Sequence, residues 1–192
     1  MKNKIITTPD PRLRTKSTKV TDFGEETQKI ISDMIKLSLN WEKSHEFELS
    51  AAMAAPQMGI NKRIIIIRDD MSDKSNAHFT ALINPEVIKT EGKTITDYEG
   101  CLSVPFIYGK VPRPEKAKIK AQLEDGTEVR LKSDADLTRI LLHEIDHLNG
   151  ILFIDHIKDD KDAFYELDDK GDLQPLDYAT HIASNTTLFP KD

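Results

Sequence analysis

The sequence predicts an α+β fold. Mixed or antiparallel sheets surround a late central helix that carries a His-Glu-x-x-His pattern, and one long helix lies near the N-terminus. Three observations support this. Apolar residues recur at helical spacing over 30–41 and again over 137–148. Between these stretches lie β-branched and alternating runs of strand length. An Asp125-Gly126 pair separates two such runs, as a hairpin requires.

Taken in order, the first twenty residues, with Pro9 and Pro11, read as an extended arm packing on a body. Asp22 with Glu25 three residues on predicts a capping box. The helix it starts presents Ile30, Ile31, Met34, Ile35, Leu37 and Trp41, with Trp41 expected in the core, and fades over 42–45. Residues 63–67 predict a buried strand and 69–76 a polar loop. Residues 79–83 and 86–89 predict strands either side of Asn84-Pro85, and 94–98 another. Residues 116–123 alternate with period two, and the return strand follows the turn from Glu128. Ser133 with Asp136 starts the second helix, and Gly150 after Asn149 stops it. Residues 137, 140, 141, 144, 147 and 148 then share one face. Asp168 to Gly171 predicts a turn between two short segments.

A chain of 192 residues suits a single domain over 1–192, with a core at about 5–157 and an acidic C-terminal extension at 158–192. With 38% hydrophobic and 31% charged residues it reads as globular and not disordered. The net charge of −6 argues against a partner recognised through phosphate neutralisation, so no nucleic-acid binding is expected. The apolar run Ile64–Ile67 is bounded by Arg63 and Arg68, too short for a membrane span. The N-terminus lacks the apolar segment of a secretion signal, which predicts a cytoplasmic protein. The single cysteine, Cys101, forms no internal disulfide and suits a reducing compartment.

The chemistry lies on the late helix. His143 and His147 are four residues apart, so both imidazoles project from one face and can reach one metal ion. Glu144 is rotated off that stripe and can reach a metal-bound water as a general base. The bland reading is a chance pair of histidines on a solvated face. Neighbouring leucines count against it, because imidazoles and a carboxylate buried there without a partner would be desolvated at a cost. Two rings need a third ligand. His156 follows nine residues after His147, but in the metzincin spacing the third-ligand position is Phe153, so that route fails. Cys101 is the other candidate, and a thiolate with two imidazoles leaves an open position for catalysis.

Glu99-Gly100-Cys101-Leu102-Ser103 together with His143-Glu144-Ile145-Asp146-His147 resembles the peptide deformylase family. A third block, residues 50–57, agrees in part, and the likeness runs from about residue 5 to 157. The resemblance implies a metal-dependent hydrolase that removes the formyl group from the N-terminal formyl-methionine of new polypeptides. By that likeness Cys101, His143 and His147 hold one divalent ion, Fe2+ with Zn2+ or Ni2+ as substitutes. Glu144 is the general acid/base, and the Leu102 N–H and Gln57 amide hold the developing oxyanion. Ala51 and Ala52 contact substrate, and a Glu99–Arg113 ion pair braces the cysteine segment. Asp146 is weighed as an acceptor that orients an imidazole, against the more common solvated carboxylate. Nascent chains, met at the ribosome exit by a monomer, are the implied partners. The sequence departs from the family pattern at Ser50, Ala52, Phe106 and Leu142. Because Ser50 and Ala52 replace glycines, one alternative is a deformylase-like binding protein with a narrowed cleft. Another is a zinc peptidase cutting internal bonds, against which the setting of Cys101 counts.

Overall fold

The computed structural model describes residues 4–45, 48–72 and 78–190. The expected polar loop at 69–76 therefore lies partly outside the described residues. Helix α1 spans Glu25–Glu42, α2 Ala135–Leu148 and the short α3 Tyr178–His181. Strands β1 Ala52–Ala54, β2 Ile64–Arg68, β3 Phe79–Cys101, β4 Val104–Gln122, β5 Glu128–Asp134, β6 Phe164–Leu167 and β7 Leu173–Pro175 form one sheet. Its order is β1-β2-β3-β4-β6-β7, with β5 also pairing with β4. Every pairing between these strands is antiparallel, which narrows the expected mixture; the one parallel contact is an isolated bridge between Thr18 and Lys62.

The strands expected at 79–83, 86–89 and 94–98 are one 23-residue strand. Asn84-Pro85 reads as a breaker, yet the chain absorbs it as a register shift between Ile83 and Glu86. Asn84 takes φ 52°, and its side chain both accepts from the Val20 N–H (2.8 Å) and donates to the Val20 carbonyl (2.9 Å), anchoring the bend to the N-terminal arm. Strand β4 starts far earlier than its alternating run, at Val104, despite Pro112 and Pro114. Between the residues that pair with β6 (Tyr108, Gly109) and those that pair with β5 (Lys116–Gln122), β4 has β3 on one side only. The prolines sit in that open stretch, where a missing N–H breaks no ladder.

The predicted capping residues are displaced. Gly24, not Asp22, caps α1 without a side-chain bond, while Asp22 accepts from the Gly24 N–H in a turn before the helix. Asp134, not Ser133, caps α2, because the Ser133 hydroxyl is buried against Thr138 Oγ1 at 2.8 Å. Gly150 (φ 76°) does end α2, and the Gly150 and Ile151 N–H groups bond the His147 and Asp146 carbonyls.

Helix α2 is buried on more than one face. Leu141, Ile145 and Leu148 pack with Ala52, Ile65, Ile67 and Ile119 from the sheet. Leu142, His143, Glu144 and His147 are also buried. Leu137, expected on the inner face, is 41% exposed, while its neighbour Thr138 is the first-turn residue buried against the sheet. Helix α1 packs Ile30, Ile31 and Met34 against Met53, Ile64 and Ile66. Burying side chains of this kind stabilises by about 1.5–3 kcal/mol each.

The acidic segment 158–192, expected as an extension outside the core, supplies Ala163, Phe164, Leu176, Ile182 and Leu188 to a buried cluster with Val104, Val111 and Phe153. Its charge alternates with enough apolar side chains to build a face, and β6 fastens it beside the β3–β4 hairpin. The N-terminal arm is tied down as well. Its Ile6 and Thr8 N–H groups bond the carbonyls of Gln57 (2.8 Å) and Ser103 (2.9 Å), and the Ser17 N–H bonds Leu148 (2.8 Å). No helix among the described residues is long and apolar enough to cross a membrane.

Candidate metal centre and cleft

The β3–β4 hairpin and α2 bring three distant side chains together. Ligand atoms of Cys101, His143 and His147 lie within 4.8 Å of one another, the only such His/Cys/Asp/Glu group among the described residues. Cys101 Sγ is 3.2 Å from His147 Nε2. The two rings, one helical turn apart, sit 5.0 Å between centroids at 74°.

His143 is aimed by Glu99, whose Oε2 lies 2.8 Å from Nδ1 and leaves Nε2 for the cluster. Glu99 is itself saturated. Arg113 donates to it through Nε (2.8 Å) and Nη2 (3.0 Å), and Arg139 through Nη1 (2.9 Å). Burial opposes ionisation of Glu99, but the bonds from His143 and Arg113 overcome it and hold the carboxyl well below the usual range. Burial disfavours a charged His143 ring, yet Cys101 and Glu99 raise its pKa well above normal. His147 goes the other way, lowered by burial and then by the charge of His143.

Glu144 is buried, and desolvation, opposed by the charge of His143 and reinforced by that of Glu99, pushes its pKa up to about 7. Its Oε2 and His147 Nδ1 are buried atoms without a hydrogen-bond partner among the described residues. A soft thiol, the His147 Nε2 that faces it and the His143 Nε2 left over from the Glu99 contact make a largely buried donor set that fits a single divalent cation.

Gln57 is only 1% exposed. Its Oε1 accepts from the Ala54 N–H at 2.8 Å, which turns Nε2 toward Cys101 Sγ (3.6 Å) and Ser103 Oγ (3.3 Å). A cavity of about 350 Å³ opens beside these groups; Ala51, Ala52, Gln57, Leu102, His143 and Glu144 are among the residues lining it. Ser50 lines it too, but its hydroxyl is engaged 2.5 Å from Ser38 Oγ on α1, and its backbone N–H donates to Glu42 at 2.9 Å. The narrowed-cleft alternative is therefore not favoured.

Three further expectations change. Trp41 is only half-buried, lines the cavity and stacks on His45 instead of joining the core. Asp146 orients neither clustered imidazole; its Oδ2 takes Arg113 Nη1 at 2.7 Å and meets His156 Nε2 at 2.7 Å. His156 thus belongs to this outer pair, away from the cluster. The sequence reading missed Arg139, which besides Glu99 also donates to the carbonyls of Ile95, Asp97 and Val111. It also missed the Tyr108–Glu48 hydrogen bond at the cleft wall. Neither has a motif: Arg139 depends on β3 and β4 packing against α2, and the Tyr108–Glu48 bond on β4 meeting the segment before β1.

A thiol at the end of β3 facing two histidines of an HExxH helix is the kind of donor set that can hold one metal ion. A family model described as polypeptide deformylase matches residues 2–163, and the chain belongs to that family. A peptide deformylase of Halothermothrix orenii is 43% identical over 148 residues, covering 77% of this chain and 88% of that protein. Among solved structures, a peptide deformylase from Legionella pneumophila aligns with TM-score 0.71 and 35% identity, covering 80% of this chain and 85% of the other. One from Synechococcus elongatus, solved in complex with actinonin, aligns with TM-score 0.70 and 34% identity, covering 81% and 78%.

Proposed function

We propose that this chain hydrolyses the formyl group from the N-terminal formyl-methionine of newly made polypeptides, with Cys101, His143 and His147 holding one divalent ion. The observation that carries the reading is the buried cluster of these residues, with the free acid Glu144 and the Gln57 amide beside it at the cavity. A bound divalent cation supplies Lewis acidity, polarising the formyl oxygen and making hydroxide available near neutrality. The likeness to peptide deformylases implies Fe2+, with Zn2+ and Ni2+ as alternatives, since a thiol with two imidazoles accepts all three ions and does not itself select the iron.

The side chains do the remaining work. Glu144, poised near neutrality by burial, takes a proton from the attacking water and returns it to the amine as the C–N bond breaks, releasing formate and a free N-terminus. The Gln57 Nε2–H and the Leu102 backbone N–H donate to the oxygen on which negative charge develops. Ala51 and Ala52 offer the substrate a smooth cavity wall, and the Glu99–Arg113–Arg139 network keeps His143 in its rotamer. Residues 1–192 are read as one domain that acts as a monomer in the cytoplasm on chains emerging from the ribosome.

Turnover of a formyl-Met peptide by protein prepared without oxygen, with metal analysis of the same sample, tests the reading. One equivalent of metal with turnover, both lost in Cys101→Ala, is expected. Turnover that survives Cys101→Ala would overturn it.

A further inference from the structure

The turn from β3 into β4 holds a feature that hydrolysis of the formyl group leaves unused. Gly100 pairs with Tyr108 and Cys101 with Val104, so Pro105, Phe106 and Ile107 bulge from β4 with nothing opposite them. Phe106 has φ 67°, a region bulky side chains enter only under strain. It is also 80% exposed, the most exposed large apolar side chain among the described residues. Folding accounts for neither fact. An exposed phenylalanine gains little burial, and glycine would take the same φ without strain. Bulges and uncompensated strain concentrate beside active sites.

The position fits. Phe106 lines a furrow with Trp41, His45, Cys101, Leu102 and Tyr108. Trp41, Cys101, Leu102 and Tyr108 also line the main cavity, so the furrow adjoins it along a shared wall that includes Cys101. A polypeptide whose end is held at Cys101 cannot fit within about 350 Å³ and must leave through such an opening. Three aromatic side chains, Trp41, Tyr108 and Phe106, border this one. Glu48 lies in the same wall and disfavours acidic residues there.

Resting on the reading that the site takes formyl-methionyl chain ends, we propose that Phe106 is a specificity-determining residue. It forms an aromatic ledge for one of the two residues that follow the methionine, selecting apolar and above all aromatic side chains. The bulge holds the ring in solvent so that the passing chain, and not the core, covers it.

The test compares kcat/KM on formyl-Met-X-Ser and formyl-Met-Ser-X amides, with X as Phe, Leu, Ser or Glu, for metal-loaded wild type, Phe106→Ser and Phe106→Leu. Wild type should prefer Phe over Ser at one position by about three- to tenfold, the range of an aromatic pair contact. Phe106→Ser should flatten that ratio to within about twofold, and Phe106→Leu should keep part of it. Phe106→Gly should raise the thermal midpoint, because it releases the strain. An unchanged Phe/Ser ratio in Phe106→Ser, or a lower midpoint in Phe106→Gly, overturns the proposal. Failure of wild type to turn over any formyl peptide would instead remove the hydrolase reading, and this proposal with it.

Discussion

Glu99→Ala removes one carboxylate and strands several donors. The wild-type carboxylate accepts from Arg113 twice and Arg139 once and contacts His143 Nδ1, with its side chain 3% exposed and that of Arg113 6%. Deleting one partner of a buried pair typically costs about 3–5 kcal/mol, because the other charge is left desolvated. Arg113 keeps Asp146 at 2.7 Å, which places the loss near 3 kcal/mol, the low end of that range. With a urea slope of about 2 kcal/mol/M, the unfolding midpoint should fall by about 1.5 M at pH 7 in chelator-treated protein. Glu99→Gln, which keeps an acceptor, should lose less. The pH dependence has a definite sign. A carboxyl held below its unfolded value near 4.3 stabilises fully above about pH 5, and the contribution fades as pH falls through the folded pKa. The gap between wild type and Glu99→Gln should therefore shrink below about pH 4. A loss under about 1 kcal/mol for Glu99→Ala, typical of a surface pair, would refute this reasoning.

Gln57→Ala should lower kcat by about 10²–10³ with a much smaller change in KM, measured on a formyl-Met peptide, if its amide acts only as charge develops. Glu144→Gln should retain a full equivalent of metal yet lose about 10²–10⁴ in kcat, which paired metal analysis and kinetics would show. Gly150→Ala should destabilise by at least about 1–2 kcal/mol in denaturant unfolding, since φ is 76° and a Cβ would lie 2.4 Å from the Arg14 carbonyl oxygen. Chelation should abolish turnover, and added divalent metal should restore it.

Local features were legible where one periodicity or one turn decided them. The runs at 30–41 and 137–148, the Asp125-Gly126 turn and the stop at Gly150 follow from short-range sterics that nothing distant overrides. The continuous β3 and the early start of β4 were not legible. Asn84-Pro85 is tolerated because Asn84 bonds to Val20, and Pro112 and Pro114 because they occupy an open edge, both properties of the assembled sheet. At the site, the i, i+4 histidines and the Cys101 segment could be read from spacing and resemblance. Arg139 could not, because its role depends on β3 and β4 folding over α2. Ser50 looked like an obstruction until Ser38, twelve positions earlier, supplied the partner for its hydroxyl.

The central claim is a mixed sulfur and nitrogen set around one ion, and X-ray absorption at the metal edge of zinc-loaded protein tests it most directly. One sulfur at about 2.3 Å with two imidazole nitrogens at about 2.0–2.1 Å is the expected shell. A shell of nitrogen and oxygen alone, with no sulfur, would contradict the account.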